Sequence, residues 1–142
     1  MNGPIEMEDF RNNDRLFWED EDLADQIWKE LEEFVPLDLG DYQAVGLNEL
    51  FRFYRYGVNQ QFDWHYDAPY QRNSNEQSFY TFMIYLNDDV EGGSTAFQNF
   101  EVVPKTGDGL IFSQELEHAG LPITAGRKYV LRTDIMYSNV NC

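Results

Sequence analysis

The chain has 142 residues, enough for one domain around a single core. Hydrophobic residues make up 42% of it and aromatics 16%, which excludes a disordered chain, and no apolar run approaches the roughly 18 residues of a membrane helix. A net charge of −16 opposes any partner bound through phosphate, so neither nucleic acid nor an anionic membrane surface is expected.

The acid is uneven: residues 1–41 carry 14 acids and 3 bases, or −11, and residues 42–142 carry 12 and 7, or −5. Bases that could bind a small anion therefore concentrate in the later part. Cys142 is the one cysteine, so a disulfide framework is excluded and a reducing, cytoplasmic setting is expected. The opening Met1-Asn2-Gly3-Pro4 has the pattern of neither a signal peptide nor an Arg-rich transit peptide.

Residues 1–15 are polar and indistinct, compatible with the tail of an edge strand or a loose arm. Residues 20–34 predict a helix. Leu23, Ile27, Leu31 and Phe34 recur on one face of a 3.6-residue period, acids occupy the first turn, and Pro36 follows the end. After Gly46 the pattern changes to short β runs: Leu50–Tyr56, Phe62–Asp67, Phe79–Leu86, Ser94–Val103, Gly109–Phe112 and Tyr129–Tyr137. Gly57, Asn87-Asp88-Asp89, Gly92-Gly93, Pro104, Gly107 and Gly126 break them. One helix outside an antiparallel β core is the simplest architecture. The polar, turn-rich stretch Ala68–Ser78 reads as a loop beside the site, with Tyr70 and Arg72 as substrate-contacting candidates.

The two histidines decide the chemistry. His65 and Asp67 stand two residues apart, which on a strand puts both side chains on one face. His118 follows 51 residues after Asp67. Two His and one carboxylate can occupy one side of an octahedron and leave adjacent positions open, the facial triad of non-haem Fe(II) oxygenases. His-x-Asp alone carries little, since 13 Asp are scattered through the chain. The added weight comes from Lys128, ten residues after His118 at the head of an apolar strand. A buried cation there needs an anion, and the distal carboxylate of a dicarboxylic co-substrate would serve.

The run from Tyr56 to Tyr137 resembles the 2-oxoglutarate- and Fe(II)-dependent dioxygenases, in particular their prolyl-4-hydroxylase-like branch. The stretches that carry the likeness are Phe53–Gly57, Trp64–Asp67, Ile84–Asp88, Gly92–Phe97, Val103–Asp108, His118–Gly120 and Gly126–Asp134. The resemblance implies a mainly β fold, a double-stranded β-helix (jelly roll) with one or two supporting N-terminal helices. It implies a single domain over residues 1–142, with helical support at about 20–35 and a β core at about 42–138. Its short length and abrupt start suggest a truncated or minimal version of the family.

By the same resemblance His65, Asp67 and His118 are the Fe(II) ligands. Lys128 holds the distal carboxylate of 2-oxoglutarate, with Arg127 as the alternative because only one of two neighbouring strand residues points inward. Tyr56, Tyr85 and Thr95 match hydroxyl positions of the co-substrate pocket. The expected reaction consumes O2, releases succinate and CO2, and hydroxylates an unactivated C–H of an amino-acid, peptide or small-molecule substrate, with ascorbate as an optional reductant. Asp67 favours hydroxylation over halogenation, since related halogenases lack this carboxylate.

The likeness stops short of substrate recognition. Phe62 stands where peptide-acting relatives often carry Tyr, and Asp134 where they often carry Trp. Arg52 shares the inward parity of Tyr56, and Arg132 and Asp134 that of Lys128, so these charges either read a polar substrate or pair with one another. Two other readings compete: a catalytically silent jelly-roll metal-binding or sensor module, and a cupin-like metal protein, which would generally use more histidines. The acidic surface makes a basic peptide electrostatically plausible as substrate, and the oligomeric state is open.

Overall fold

The structure, a computed structural model, describes residues 13–141. The first twelve residues and Cys142 lie outside the described residues. The chain runs β1 (Asp14–Glu19), α1 (Glu21–Leu31), β2 (Tyr42–Leu47), β3 (Leu50–Tyr56), β4 (Phe62–His65), β5 (Gln71–Asn73) and β6 (Glu76–Tyr85). There follow β7 (Glu91–Gly92), β8 (Thr95–Phe97), β9 (Glu101–Val102), β10 (Gly109–Ser113), β11 (His118–Gly120), β12 (Ile123–Ala125) and β13 (Lys128–Asn139).

A seven-stranded sheet is ordered β1-β3-β13-β6-β10, with β2 added to β13 and β5 to β6. A four-stranded sheet follows the order β4-β11-β8-β9, and β12 pairs with β7. Of residues 1–15, Asn13, Asp14 and Arg15 are described, and Asp14 and Arg15 open β1, which lies at the edge of the large sheet against β3.

Strand β13 organises the core because its two faces are both buried. Val130 packs with Tyr54, Tyr56, Met83, Phe62, Phe97 and Phe112, side chains drawn from both larger sheets. Leu131, Ile135 and Tyr137 point the other way, onto Phe51, Phe82 and Ala24 of α1. Alternation along one strand thus separates an inter-sheet layer from a helix-facing layer. None of the described helices is long and apolar enough to cross a membrane.

The helix begins where its sequence signal places it: the Asp20 carboxylate accepts the Leu23 N–H at 2.9 Å. It ends earlier than the periodicity predicts. Residues Glu32–Phe34 tighten into a 3-10 turn, which advances the phase, and Phe34 emerges 68% exposed instead of on the buried face. Leu23, Ile27 and Leu31 keep the expected contact. The expected strand Ser94–Val103 is instead the hairpin of β8 and β9, with Thr95 opposite Val102.

Ile135 is fully buried between the sheet and α1. Ile135→Ala should cost about 2–5 kcal/mol by transfer and cavity terms, read as a lower denaturant midpoint at unchanged slope. A loss below about 1 kcal/mol would show that this layer does not carry the fold.

Candidate metal and dicarboxylate site

His65 ends β4 and His118 opens β11, and the antiparallel register sets them directly opposite one another. Their rings lie 4.3 Å apart, centre to centre. Strand β4 stops at His65, so Asp67 lies beyond it, and the strand parity that the sequence suggested does not hold that far. Asp67 is set instead by a long-range contact. Thr81 of β6 donates its hydroxyl to Asp67 Oδ2 at 2.7 Å, which leaves Oδ1 at 3.4 Å from His65 Nε2 and 3.5 Å from His118 Nε2. One ligand atom from each of the three residues falls within 4.8 Å of the others.

The backbone fixes the ring tautomers. His65 Nδ1 lies 2.6 Å from the Asp63 carbonyl and His118 Nδ1 lies 3.0 Å from the Leu116 carbonyl. Each neutral ring donates its Nδ1–H outward and turns the Nε2 lone pair inward. Two lone pairs and a carboxylate oxygen then face one another. That is a repulsive arrangement for bare protein and a fitting one for a dication. Phe62 stacks flat on His65 at 3.5 Å, and Phe97 and Phe112 flank His118.

Burial would by itself raise the Asp67 carboxyl, but with the Arg132 guanidinium beside it the carboxyl is held well below the usual carboxylate range. Arg132 Nη2 stands 3.5 Å from Asp67 Oδ2 and 3.1 Å from Asp134 Oδ1. Arg52 takes the other Asp134 oxygen at 3.2 Å. Gln114 completes the cluster, donating to Asp134 at 3.0 Å and accepting from Ser78 at 2.8 Å. Of the two options for the inward charges, pairing with one another is what these contacts show.

Lys128 is 2% exposed, with Nζ donating to the Gly93 carbonyl at 2.8 Å and lying 4.3 Å from the centre of the Tyr56 ring. Tyr56 sits opposite Lys128 in the β3–β13 register. Among the described residues Lys128 has no carboxylate in ion-pair reach. Gly93 makes the contact feasible: its φ is +78°, and a Cβ there would meet Ile123 Cδ1 at 2.3 Å. Arg127 is exposed, and its backbone carbonyl accepts from Asn87.

One cavity is lined by the His65–Asp67–His118 cluster together with Lys128, Thr95 and Arg132. Tyr56 and Met83 also reach it, whereas Tyr85 does not, its hydroxyl being engaged by Thr95 Oγ1 at 2.5 Å and the Val102 carbonyl at 3.2 Å. Tyr70 and Arg72 stay outside. The Tyr70 backbone closes a hairpin with Ser78, and Arg72 is clamped by Glu49 and Glu76. Thr81, Gln114 and Gly93 were not singled out by the sequence; all three act through partners at least 14 residues away.

Burial pulls the Lys128 ammonium down to about 8. Between that value and the unfolded value of about 10.4, the unfolded chain binds more protons than the folded one, so the Lys128 contribution to stability rises with pH in this window. Lys128→Met should raise the stability of ligand-free protein at pH 7 by roughly 2–3 kcal/mol, a gap that narrows by pH 10. A gap independent of pH, followed by chemical denaturation, would contradict the burial penalty.

Comparison with known proteins agrees with this geometry. The family model described as the 2OG-Fe(II) oxygenase superfamily matches residues 51–133. A probable prolyl 4-hydroxylase 9 of Arabidopsis thaliana is 31% identical over 111 residues, covering 58% of this chain and 38% of that protein. A putative prolyl 4-hydroxylase of Acanthamoeba polyphaga mimivirus is 32% identical over 96 residues, covering 54% and 40%. The chain thus spans 38–40% of the length of these curated relatives. In fold it matches the viral collagen prolyl hydroxylase of Paramecium Bursaria Chlorella virus-1 in its 2OG complex, with TM-score 0.69, 24% identity, and 90% and 80% of the two chains covered. A prolyl hydroxylase of Trichoplax adhaerens, in complex with a hypoxia inducible factor peptide fragment, gives TM-score 0.69 at 18% identity, covering 96% and 67%. These neighbours bear out the jelly-roll expectation. The chain belongs to the 2OG-Fe(II) oxygenase superfamily.

Proposed function

We propose that this protein is an Fe(II)- and 2-oxoglutarate-dependent dioxygenase that hydroxylates an unactivated C–H bond of an amino-acid, peptide or small-molecule substrate. The prolyl hydroxylases among its relatives favour an amino-acid-type substrate, free or peptidyl. The observation that carries the reading is the convergence of two Nε2 lone pairs and one carboxylate oxygen beside a buried ammonium that meets no carboxylate among the described residues.

In this reading His65, His118 and Asp67 hold the iron, with the Asp63 and Leu116 carbonyls keeping both imidazoles in the ligating tautomer. Lys128 receives the distal carboxylate of 2-oxoglutarate through a charge-assisted hydrogen bond, in place of the Gly93 carbonyl or beside it. The Thr95 hydroxyl, oriented by Tyr85, and the Tyr56 ring flank that carboxylate. When bound, iron and 2-oxoglutarate supply the oxidising power, with decarboxylation to succinate and CO2 coupled to insertion of one oxygen atom of O2 into the C–H bond. Phe62, Phe97 and Phe112 exclude water around the imidazoles. Thr81 and Arg132 hold the far oxygen of Asp67, so that Oδ1 remains the ligand.

The test is Fe(II)-dependent formation of succinate from 2-oxoglutarate, with metal affinity measured alongside. Outer contacts of metal ligands are typically worth 10–100-fold, so His65→Ala and His118→Ala should each weaken Fe(II) binding by at least about 100-fold and abolish turnover. Wild-type rates in both variants, or turnover that ignores chelation of iron, would refute the reading. Lys128→Met should retain metal and weaken 2-oxoglutarate by roughly 10–100-fold, the worth of a hydrogen bond to a charged group. Unchanged 2-oxoglutarate affinity would remove Lys128 from that role.

A further inference from the structure

Arg132 is the second cation of the cavity. It stands on the same face of β13 as Lys128, four residues on, or about 13 Å along the strand. Its side chain is 12% exposed, and its Nε, buried, has no hydrogen-bond partner among the described residues. Its two carboxylate neighbours are both shared. Asp134 also neutralises Arg52, and Asp67 belongs to the cluster that faces the metal position.

Counting charges exposes an imbalance that the rest of the site does not resolve. The Arg52–Asp134 pair is neutral, and Asp67 balances Arg132 in the bare protein. With a dication on the triad, Asp67 is committed to it, and the dication, Lys128 and Arg132 together leave three positive charges. The dicarboxylate removes two. One remains, in a water-poor cavity where an unpaired charge is costly.

We infer that Arg132 is a second carboxylate anchor, and that the group it receives is a carboxylate of the substrate. The substrate class is then an amino acid with a free carboxylate, or a peptide presenting its C-terminus or an acidic side chain, rather than the neutral interior of a chain. The planar fork of Arg132 suits such a group, and its Nε–H, beside which the Tyr54 hydroxyl is the other polar neighbour of the guanidinium, provides a donor that neither Asp67 nor Asp134 takes. A carboxylate near the metal has another source, the keto-acid end of 2-oxoglutarate. The charge count assigns the anchor to the substrate, because both charges of the co-substrate are already used. This inference rests on the proposed iron and 2-oxoglutarate site.

The experiment uses the full chain loaded with Mn(II) and 2-oxoglutarate under argon, so that no turnover occurs. The probes are the common L-amino acids, each paired with its own amide, and the readouts are thermal shift and calorimetric affinity. The expected result is that at least one acid stabilises the loaded protein where its amide does not. In Arg132→Gln that preference, read as the acid-to-amide affinity ratio with Mn(II) and 2-oxoglutarate saturating, is lost by about tenfold or more. Equal binding of acids and amides across the set, or an unchanged preference in Arg132→Gln, overturns the anchor. A tenfold loss of 2-oxoglutarate affinity in that variant with Mn(II) affinity unchanged overturns the assignment to substrate. Should Arg132→Gln fail to fold, Arg132→Lys keeps the charge and loses the fork, and an undiminished acid preference there overturns the inference equally. Wild-type protein that binds neither Mn(II) nor 2-oxoglutarate fails at the functional reading itself, a result distinguishable from all of these.

Discussion

The site depends on the pairing of β4 with β11, which sets His65 opposite His118 across two short strands. Neither strand is long enough to be stable alone: β4 has four residues and β11 three. They are held because β8 extends the same sheet on the other side of β11, with Phe97 opposite His118, and because Phe62 and Phe97 are buried against the large sheet. The inter-sheet core and the ring positions are therefore one structural unit. A change that slips this register by one residue would send one imidazole out of the cavity.

Around the rings the protein places charges where bare folding would not favour them. Lys128 is buried against a backbone carbonyl and an aromatic face, and Asp67 against Arg132. The Lys128 arrangement does not serve stability well, since desolvating a charge costs more than a hydrophobic residue of the same size would. Strain of this kind is concentrated where a bound metal and a dicarboxylate would relieve it. The polar cluster of Thr81, Gln114, Ser78, Asp134 and Arg52 supports it from behind, with hydrogen bonds that span 14 to 82 residues of sequence.

Much of this was legible in the sequence, for identifiable reasons. Two histidines in the whole chain left few ways to assemble a triad, and the Lys128 position on a long apolar strand marked it as inward. Strand β3 matched its expected span because a run rich in Phe and Tyr that ends at Gly57 is a strong strand signal. What escaped was of two kinds. Strands of two or three residues, such as β7, β9, β11 and β12, are too short to carry a period. Contacts that cross from one strand to another, such as Thr81 to Asp67, leave no trace in local spacing. Phe62 and Asp134, which depart from the family pattern, prove to have local partners: Phe62 stacks on His65, and Asp134 bridges two arginines. Tyr85, expected at the pocket, stands one step behind its lining, with its hydroxyl bonded to Thr95.

The site requires a single metal ion where the three ligand atoms meet. Crystals grown with Mn(II), measured for anomalous scattering, test this directly. The prediction is one strong peak bounded by His65 Nε2, His118 Nε2 and Asp67 Oδ1, with both Nδ1 atoms still turned to the Asp63 and Leu116 carbonyls. A saturating soak that leaves this point empty, or places the ion on other residues, would contradict it.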